Sequence, residues 1–150
     1  KSTLLSKISS ARPKIADYPF TTLEPNLGIV KYGNYKSFVV ADIPGLIEGA
    51  SSGKGLGHKF LKHIERNKIL LYLIDSQDQT PLKTFETLEK ELLTFNPDLD
   101  VKPSLICRTK SDLQIEQSDD WEKFQNKVHV ISSVTGDGID DLISELIKCI

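Results

Sequence analysis

The chain reads as an α/β domain built on a mostly parallel, doubly wound sheet. Short apolar runs alternate with amphipathic stretches of helical period along most of its 150 residues, the pattern of parallel strands with helices on both faces. Two of these runs, Phe38-Val39-Val40-Ala41 and Ile69-Leu70-Leu71-Tyr72-Leu73-Ile74, break abruptly at a carboxylate, Asp42 and Asp75. A third, Ser104-Leu105-Ile106-Cys107, runs into Arg108-Thr109-Lys110-Ser111-Asp112. Open α/β sheets bind their ligands beyond the carboxyl ends of the strands, so Asp42 and Asp112 stand where chemistry is expected.

The elements follow in order. Lys1-Ser2-Thr3 leads into Leu4, Leu5 and Ile8, the apolar face of a short helix. From Ser9 to Leu27 the periodicity lapses, and three prolines (Pro13, Pro19 and Pro25) predict a long loop ending in an extended segment. Loops of that length in a compact domain are usually functional or disordered, and this one carries the adjacent hydroxyls Thr21 and Thr22, which taken alone read equally as turn or strand-edge threonines. Residues 27–32 read as a strand, Gly33-Asn34 as a hairpin turn, and residues 36–41 as the strand that ends at Asp42. Beyond Gly45 come glycines at 49, 53, 55 and 57, a stretch of high backbone entropy expected to be mobile. A helix is expected over 58–66 with Phe60, Leu61 and Ile64 inward. Its His58 and His63 lie five apart, not the four that would place both on one face for a metal, and read as solvent-facing.

The second half continues the alternation. Residues 69–74 form an apolar strand expected to be buried on both faces. A helix over 81–95 should turn Leu82, Phe85, Leu88, Leu92 and Leu93 inward. The strand at 104–107 precedes a short helix at 119–126 carrying Trp121 and Phe124, and a last strand at 128–131. Ser132-Ser133-Val134-Thr135-Gly136-Asp137-Gly138 then leads to a final helix with Ile139, Leu142, Ile143, Leu146 and Ile147 inward.

Composition narrows the class. No apolar run approaches the roughly 20 residues that span a bilayer and no signal peptide opens the chain, so a cytoplasmic protein is expected. Cys107 and Cys149 have no metal-type spacing and read as free thiols. A net charge of −2 excludes a strongly basic domain, which confines any nucleic-acid contact to local patches or to other parts. Lys54, Lys59, Lys62, Arg66 and Lys68 form one such basic stretch, read equally well as a solvated helix face.

The chemistry is carried by spacing. In Asp42-Ile43-Pro44-Gly45, a carboxylate precedes by three residues a glycine whose backbone N–H a ligand can approach closely, an arrangement suited to Mg²⁺ and phosphate; a strand end followed by a turn explains it equally well. Lys1, Ser2 and Thr3 match the end of G-x-x-x-x-G-K-[ST], where the Lys reaches the β/γ-phosphates and the hydroxyl ligates Mg²⁺. The stretch Thr109-Lys110-Ser111-Asp112 closely resembles the N-K-x-D of GTPases. There the Asp accepts hydrogen bonds from N1–H and the exocyclic amine of guanine, which adenine cannot offer, and the Lys stem packs over the base. Thr109 stands where Asn is usual; its hydroxyl keeps one tethering hydrogen bond but not the amide's full set. Ser132-Ser133-Val134 resembles the S-A-x loop that meets guanine O6 with a backbone N–H. With the Thr21-Thr22 loop, five elements stand in the order expected of a GTPase.

Longer stretches narrow the family. Ala16-Asp17-Tyr18-Pro19-Phe20-Thr21-Thr22-Leu23-Glu24-Pro25-Asn26-Leu27-Gly28, Asp42-Ile43-Pro44-Gly45-Leu46-Ile47-Glu48-Gly49-Ala50 and Gly55-Leu56-Gly57-His58-Lys59-Phe60-Leu61-Lys62-His63-Ile64-Glu65-Arg66 resemble the bacterial Obg (CgtA) GTPases over essentially the whole chain. The resemblance implies a P-loop NTPase fold, a Ras-like G domain whose first strand and phosphate-loop glycines are missing. It implies a glycine-rich domain before this piece and often a small domain after it. It further implies slow GTP hydrolysis, a monomer, association with the large ribosomal subunit in its assembly, and sensitivity to guanosine tetraphosphate in the stress response.

By position in that family, Lys1 should neutralise the β/γ oxygens, Ser2 and Thr22 should ligate Mg²⁺, Asp42 should hold the metal through water, and the Gly45 N–H should meet the γ-phosphate. Ras-type enzymes orient water with a Gln directly after that Gly; here Leu46 follows, so turnover should be slow or helped by K⁺ or a partner's group. Leu46 and Thr109 also support an alternative, a nucleotide-sensing module with negligible hydrolysis. Lacking its first strand, the piece alone is expected to bind GTP poorly.

Overall fold

The computed structural model describes residues 1–12, 14, 15, 26–42, 67–113, 116 and 118–150, in two compact units, Lys1–His63 and Ile64–Ile150. Among these residues no helix is long and apolar enough to cross a membrane. The helix expected over 58–66 and the glycine-rich stretch before it lie outside the described residues.

In the first unit, helix α1 (Ser2–Ile8) buries Leu4, Leu5 and Ile8, the i, i+1, i+4 set read from the sequence. Strands β1 (Lys14–Ile15), β2 (Asn26–Tyr32) and β3 (Lys36–Asp42) form an antiparallel sheet in that order. The two-residue β1 pairs Lys14 with Leu27 and Ile15 with Asn26, inside the stretch expected to be a loop. Two residues are too few to carry a period, so the strand left no signal. The β2–β3 hairpin is as expected but its connection has three residues, since Tyr32 pairs with Lys36. Gly33 (φ 54°) and Tyr35 (φ 67°) both take the left-handed region, the second where three-residue hairpins usually place glycine. Helix α1 lies close on β2 at Gly28, where a Cβ would come within 2.7 Å of Leu5 Cδ1 and 3.2 Å of Ser9 Cβ. Below it Ser9 Oγ accepts from Ile29 N–H (3.1 Å), while Ser10 donates from both N–H (2.8 Å) and Oγ (3.0 Å) to the Ile29 carbonyl.

The second unit holds a parallel sheet of β4 (Leu70–Asp75), β5 (Ser104–Thr109) and β6 (Val128–Val130), in that order. Its connections are helix α2 (Pro81–Phe95) and two 3₁₀ turns, and helix α3 (Ile139–Lys148) follows β6. The bounds of α2 are those read from the sequence, because Pro81 favours a first helical position and Asn96-Pro97 cannot continue the helix. Among the described residues of this unit, Ile74, Leu99, Ile106, Cys107, Ile131 and Leu142 are almost fully buried. Burial pushes the Cys107 thiol up to about 12, and both cysteines are free, as expected.

The residues expected inward are buried to different degrees, and β4 is less buried than expected. Of the five residues expected inward on α2, only Leu92 is buried; Leu82, Phe85, Leu88 and Leu93 are half-buried, as are Ile143 and Ile147 on α3 and all of β4 except Ile74. Phe85 does turn toward the sheet, edge-on to Tyr72 of β4 (5.0 Å between centroids) and to Phe124 (5.8 Å). The helix expected over 119–126 is a five-residue 3₁₀ turn, Asp119–Lys123, capped by Ser118 Oγ accepting from Asp120 N–H at 3.2 Å. Another 3₁₀ turn, Pro97–Val101, is capped in the same way by Asn96 and had no helical period to announce it.

Candidate functional site

The described residues expected on the phosphate side come together in the first unit, at the start of α1 and the end of β3. Lys1 caps α1, its carbonyl accepting from Leu5 N–H at 3.1 Å, and Ser2 and Thr3 are exposed on the first turn. Asp42 closes β3, paired with Asn26 across the hairpin, with its side chain 14% exposed. Asp42 Oδ1 is buried and accepts no hydrogen bond among the described residues; Lys1 Nζ, at 3.7 Å, offsets its charge without bonding to it. A buried carboxylate oxygen left this way is costly unless a further group arrives, and a metal-bound water is such a group. The donor set therefore fits Mg²⁺: a hard carboxylate beside a lysine, with the Ser2 hydroxyl next in the chain. Among the described residues no three His, Cys, Asp or Glu cluster, so a metal here would depend on hydroxyl, water and phosphate oxygens.

The residues expected on the base side meet in the second unit, at the carboxyl ends of its parallel strands. Asp75 at the end of β4 is in register with Thr109 at the end of β5. Thr109 Oγ1 donates to the Ile74 carbonyl at 3.1 Å, so the hydroxyl does keep one tether. Lys110 follows in the left-handed region (φ 58°), its Nζ 2.5 Å from Asp75 Oδ2. Burial works to raise the Asp75 carboxyl, but the hydrogen bond and charge of Lys110 and the Gln77 N–H together hold it below the usual carboxylate range. Ser111 N–H donates to the Ile131 carbonyl at 3.1 Å, and Leu113 N–H to Lys110 O at 3.1 Å, closing a turn that presents Asp112.

The loop after β6 is tied to the same turn. Ser132, fully buried, donates from Oγ to Asp112 Oδ1 at 2.5 Å and accepts from the N–H groups of Val134 (3.2 Å) and Thr135 (3.1 Å). Its own N–H donates to the Asp137 carbonyl at 3.0 Å. Ser133 is half-buried and Val134 exposed, so the loop offers backbone and an apolar side chain beside the Asp112 carboxylate. The residues Thr21, Thr22, Ile43, Pro44 and Gly45 lie outside the described residues. Ser76 is a contributor that the motifs did not announce: buried, it donates from Oγ to the Lys110 carbonyl at 2.9 Å.

An α/β fold with these loops at its strand ends defines the class, a P-loop GTPase G domain. Residues 1–110 match the family described as 50S ribosome-binding GTPase. The chain is 57% identical over 144 residues to GTPase Obg of Chloroherpeton thalassium, covering 95% of this chain and 43% of that protein. It is 51% identical over 158 residues to GTPase Obg of Elusimicrobium minutum, covering all of this chain and 34% of that one. The chain belongs to the 50S ribosome-binding GTPases, within their Obg group. It spans less than half the length of these relatives. Among solved structures it is similar to the G domain of the Thermotoga maritima FeoB iron transporter (TM-score 0.70, 19% identity, 99% of this chain and 89% of that one). It is also similar to a nucleolar GTP-binding protein 1 from Plasmodium falciparum (TM-score 0.71, 17% identity, 99% and 78%), and these two likenesses speak to the fold alone.

Proposed function

We propose that the protein carrying this chain binds GTP and hydrolyses it to GDP and phosphate as a nucleotide-controlled switch. The observation that carries the reading is the Asp42 carboxylate, at a strand end beside Lys1, with a buried oxygen that faces the Lys1 ammonium at 3.7 Å and accepts no hydrogen bond. Phosphoryl transfer to water asks a protein for positioning and charge neutralisation more than for covalent chemistry. Lys1 neutralises β/γ oxygens, the Gly45 N–H holds the γ-phosphate, and Ser2 and Thr22 supply metal ligands with Asp42 acting through water. Mg²⁺, when bound there, spreads the negative charge that builds on the leaving diphosphate. Asp112 reads the guanine edge, with Thr109, Lys110 and Ser111 framing it and Ser132, Ser133 and Val134 closing it. An adenine nucleotide is rejected because it leaves the Asp112 carboxylate without donors.

The partner is the large ribosomal subunit, a reading that rests on the family and on the Obg relatives, and the setting is its assembly in the cytoplasm. Guanosine tetraphosphate shares the guanine edge and the 5′-diphosphate, so the same residues take it, which ties the switch to the stress response. Single-turnover hydrolysis by the full-length protein in Mg²⁺, with and without K⁺ and large subunits, tests the proposal. Cleavage accelerated by either addition supports it; tight GTP binding with no cleavage under any condition would leave only a nucleotide sensor.

A further inference from the structure

The backbone at Lys110 is held in a conformation that lysine does not favour. A non-glycine residue at φ 58° is disfavoured and persists only where its surroundings over-determine it. Three successive residues at the end of β4, Ile74, Asp75 and Ser76, bond to Thr109 and Lys110. Ser76 N–H donates to the Thr109 carbonyl at 3.0 Å, Ser76 Oγ to the Lys110 carbonyl at 2.9 Å, and Thr109 Oγ1 to the Ile74 carbonyl at 3.1 Å. Between them stands Asp75. One of its oxygens accepts from Gln77 N–H at 3.0 Å, which fixes the carboxylate independently of the lysine, and the other meets Lys110 Nζ at 2.5 Å.

We infer that Asp75, backed by Ser76, is a positioning residue of the base-reading site, fixing where the Lys110 ammonium stands and thereby how its stem packs over the purine. The inference rests on the reading of 109–112 as a guanine site. Isolated surface ion pairs contribute little to stability because both long side chains must be ordered to form them. Here the carboxylate and the lysine backbone are already fixed by other bonds, so only the four-carbon stem is ordered by the pair. Its effect therefore falls on the orientation of Lys110 and not on the stability of the fold. With the ammonium anchored at its tip, the stem is left as an apolar strip, the part of a lysine that covers a base face. Asp75 lies more than thirty residues before the turn it serves, and only the parallel register of β4 and β5 brings it there.

The test is a double-mutant cycle read by calorimetric titration of GDP into the full-length protein. Asp75→Asn keeps an acceptor for Gln77 N–H and removes only the charge, so it should weaken GDP by about three- to tenfold with an unchanged melting temperature. In a Lys110→Met background the same substitution should change affinity by less than about twofold, since no ammonium is left to place. Asp75→Glu should restore part of the loss. The inference is overturned if Asp75→Asn binds GDP as the wild type does, or if it weakens binding equally with and without Lys110. A wild-type protein that fails to bind GDP would instead overturn the base-site reading itself.

Discussion

The hydroxyl of Ser132 donates a 2.5 Å hydrogen bond to Oδ1 of Asp112, joining the acid proposed to read the base to a loop twenty residues further on. The same oxygen accepts the N–H groups of Val134 and Thr135, so one buried atom fixes both the reader and the loop beside it. Ser132→Ala strands those two N–H groups and frees the carboxylate. A hydrogen bond to a charged group contributes about 1.5–3 kcal/mol, so GDP affinity should fall by roughly ten- to a hundredfold. Titration of the variant showing wild-type affinity would mean that Asp112 needs no such support.

Thr109→Asn should act in the opposite direction. The Thr109 hydroxyl is committed to the Ile74 carbonyl, and an amide offers a second donor and an acceptor besides. One further hydrogen bond corresponds to about 0.5–1.5 kcal/mol, or up to roughly tenfold tighter GDP binding. Unchanged or weaker binding would show that threonine already supplies the full tether.

Gly138 allows α3 to start where it does. Its φ is +70°, and a Cβ there would lie 2.1 Å from the Val130 carbonyl oxygen at the end of β6. Gly138→Ala should destabilise the protein by at least about 2 kcal/mol, from the left-handed strain and the clash together. Urea unfolding with a midpoint equal to that of the wild type would contradict this packing.

Acid should loosen the same region through His129 on β6. Burial lowers its pKa first, the Lys127 charge lowers it further, and Glu145 and Asp141 oppose them without prevailing. The folded imidazole thus binds its proton less readily than the unfolded one. The stabilisation is present above the unfolded value of about 6.5 and is lost as pH falls through the depressed folded value. His129→Gln should flatten the decline of melting temperature below about pH 6.5; a decline as steep as the wild type's would place the acid sensitivity elsewhere.

Much of this was legible in the sequence, and what was not shares a physical cause. Helix α2 was fixed at both ends by its prolines, α1 by the spacing of Leu4, Leu5 and Ile8, and the base turn by the Lys110-Ser111-Asp112 string. Local signals of that kind survive in one dimension. The two-residue β1, the left-handed Tyr35 and the half-burial along β4 depend on cross-strand partners that no local period encodes. Ser76 and Asp75 were illegible for the same reason: their hydrogen bonds cross between parallel strands, so the sequence marked only a strand end.

The central claim is that a guanine-reading acid serves a GTP-cleaving site, and nucleoside selectivity of cleavage tests both halves at once. Single-turnover cleavage of GTP and XTP in Mg²⁺ should be measured for the full-length wild type and for Asp112→Asn. The wild type should cleave GTP and spare XTP, while Asp112→Asn, whose amide donates to the carbonyl that replaces the exocyclic amine, should prefer XTP. A wild type that cleaves neither, or an Asp112→Asn variant that keeps its preference for GTP, would contradict the account.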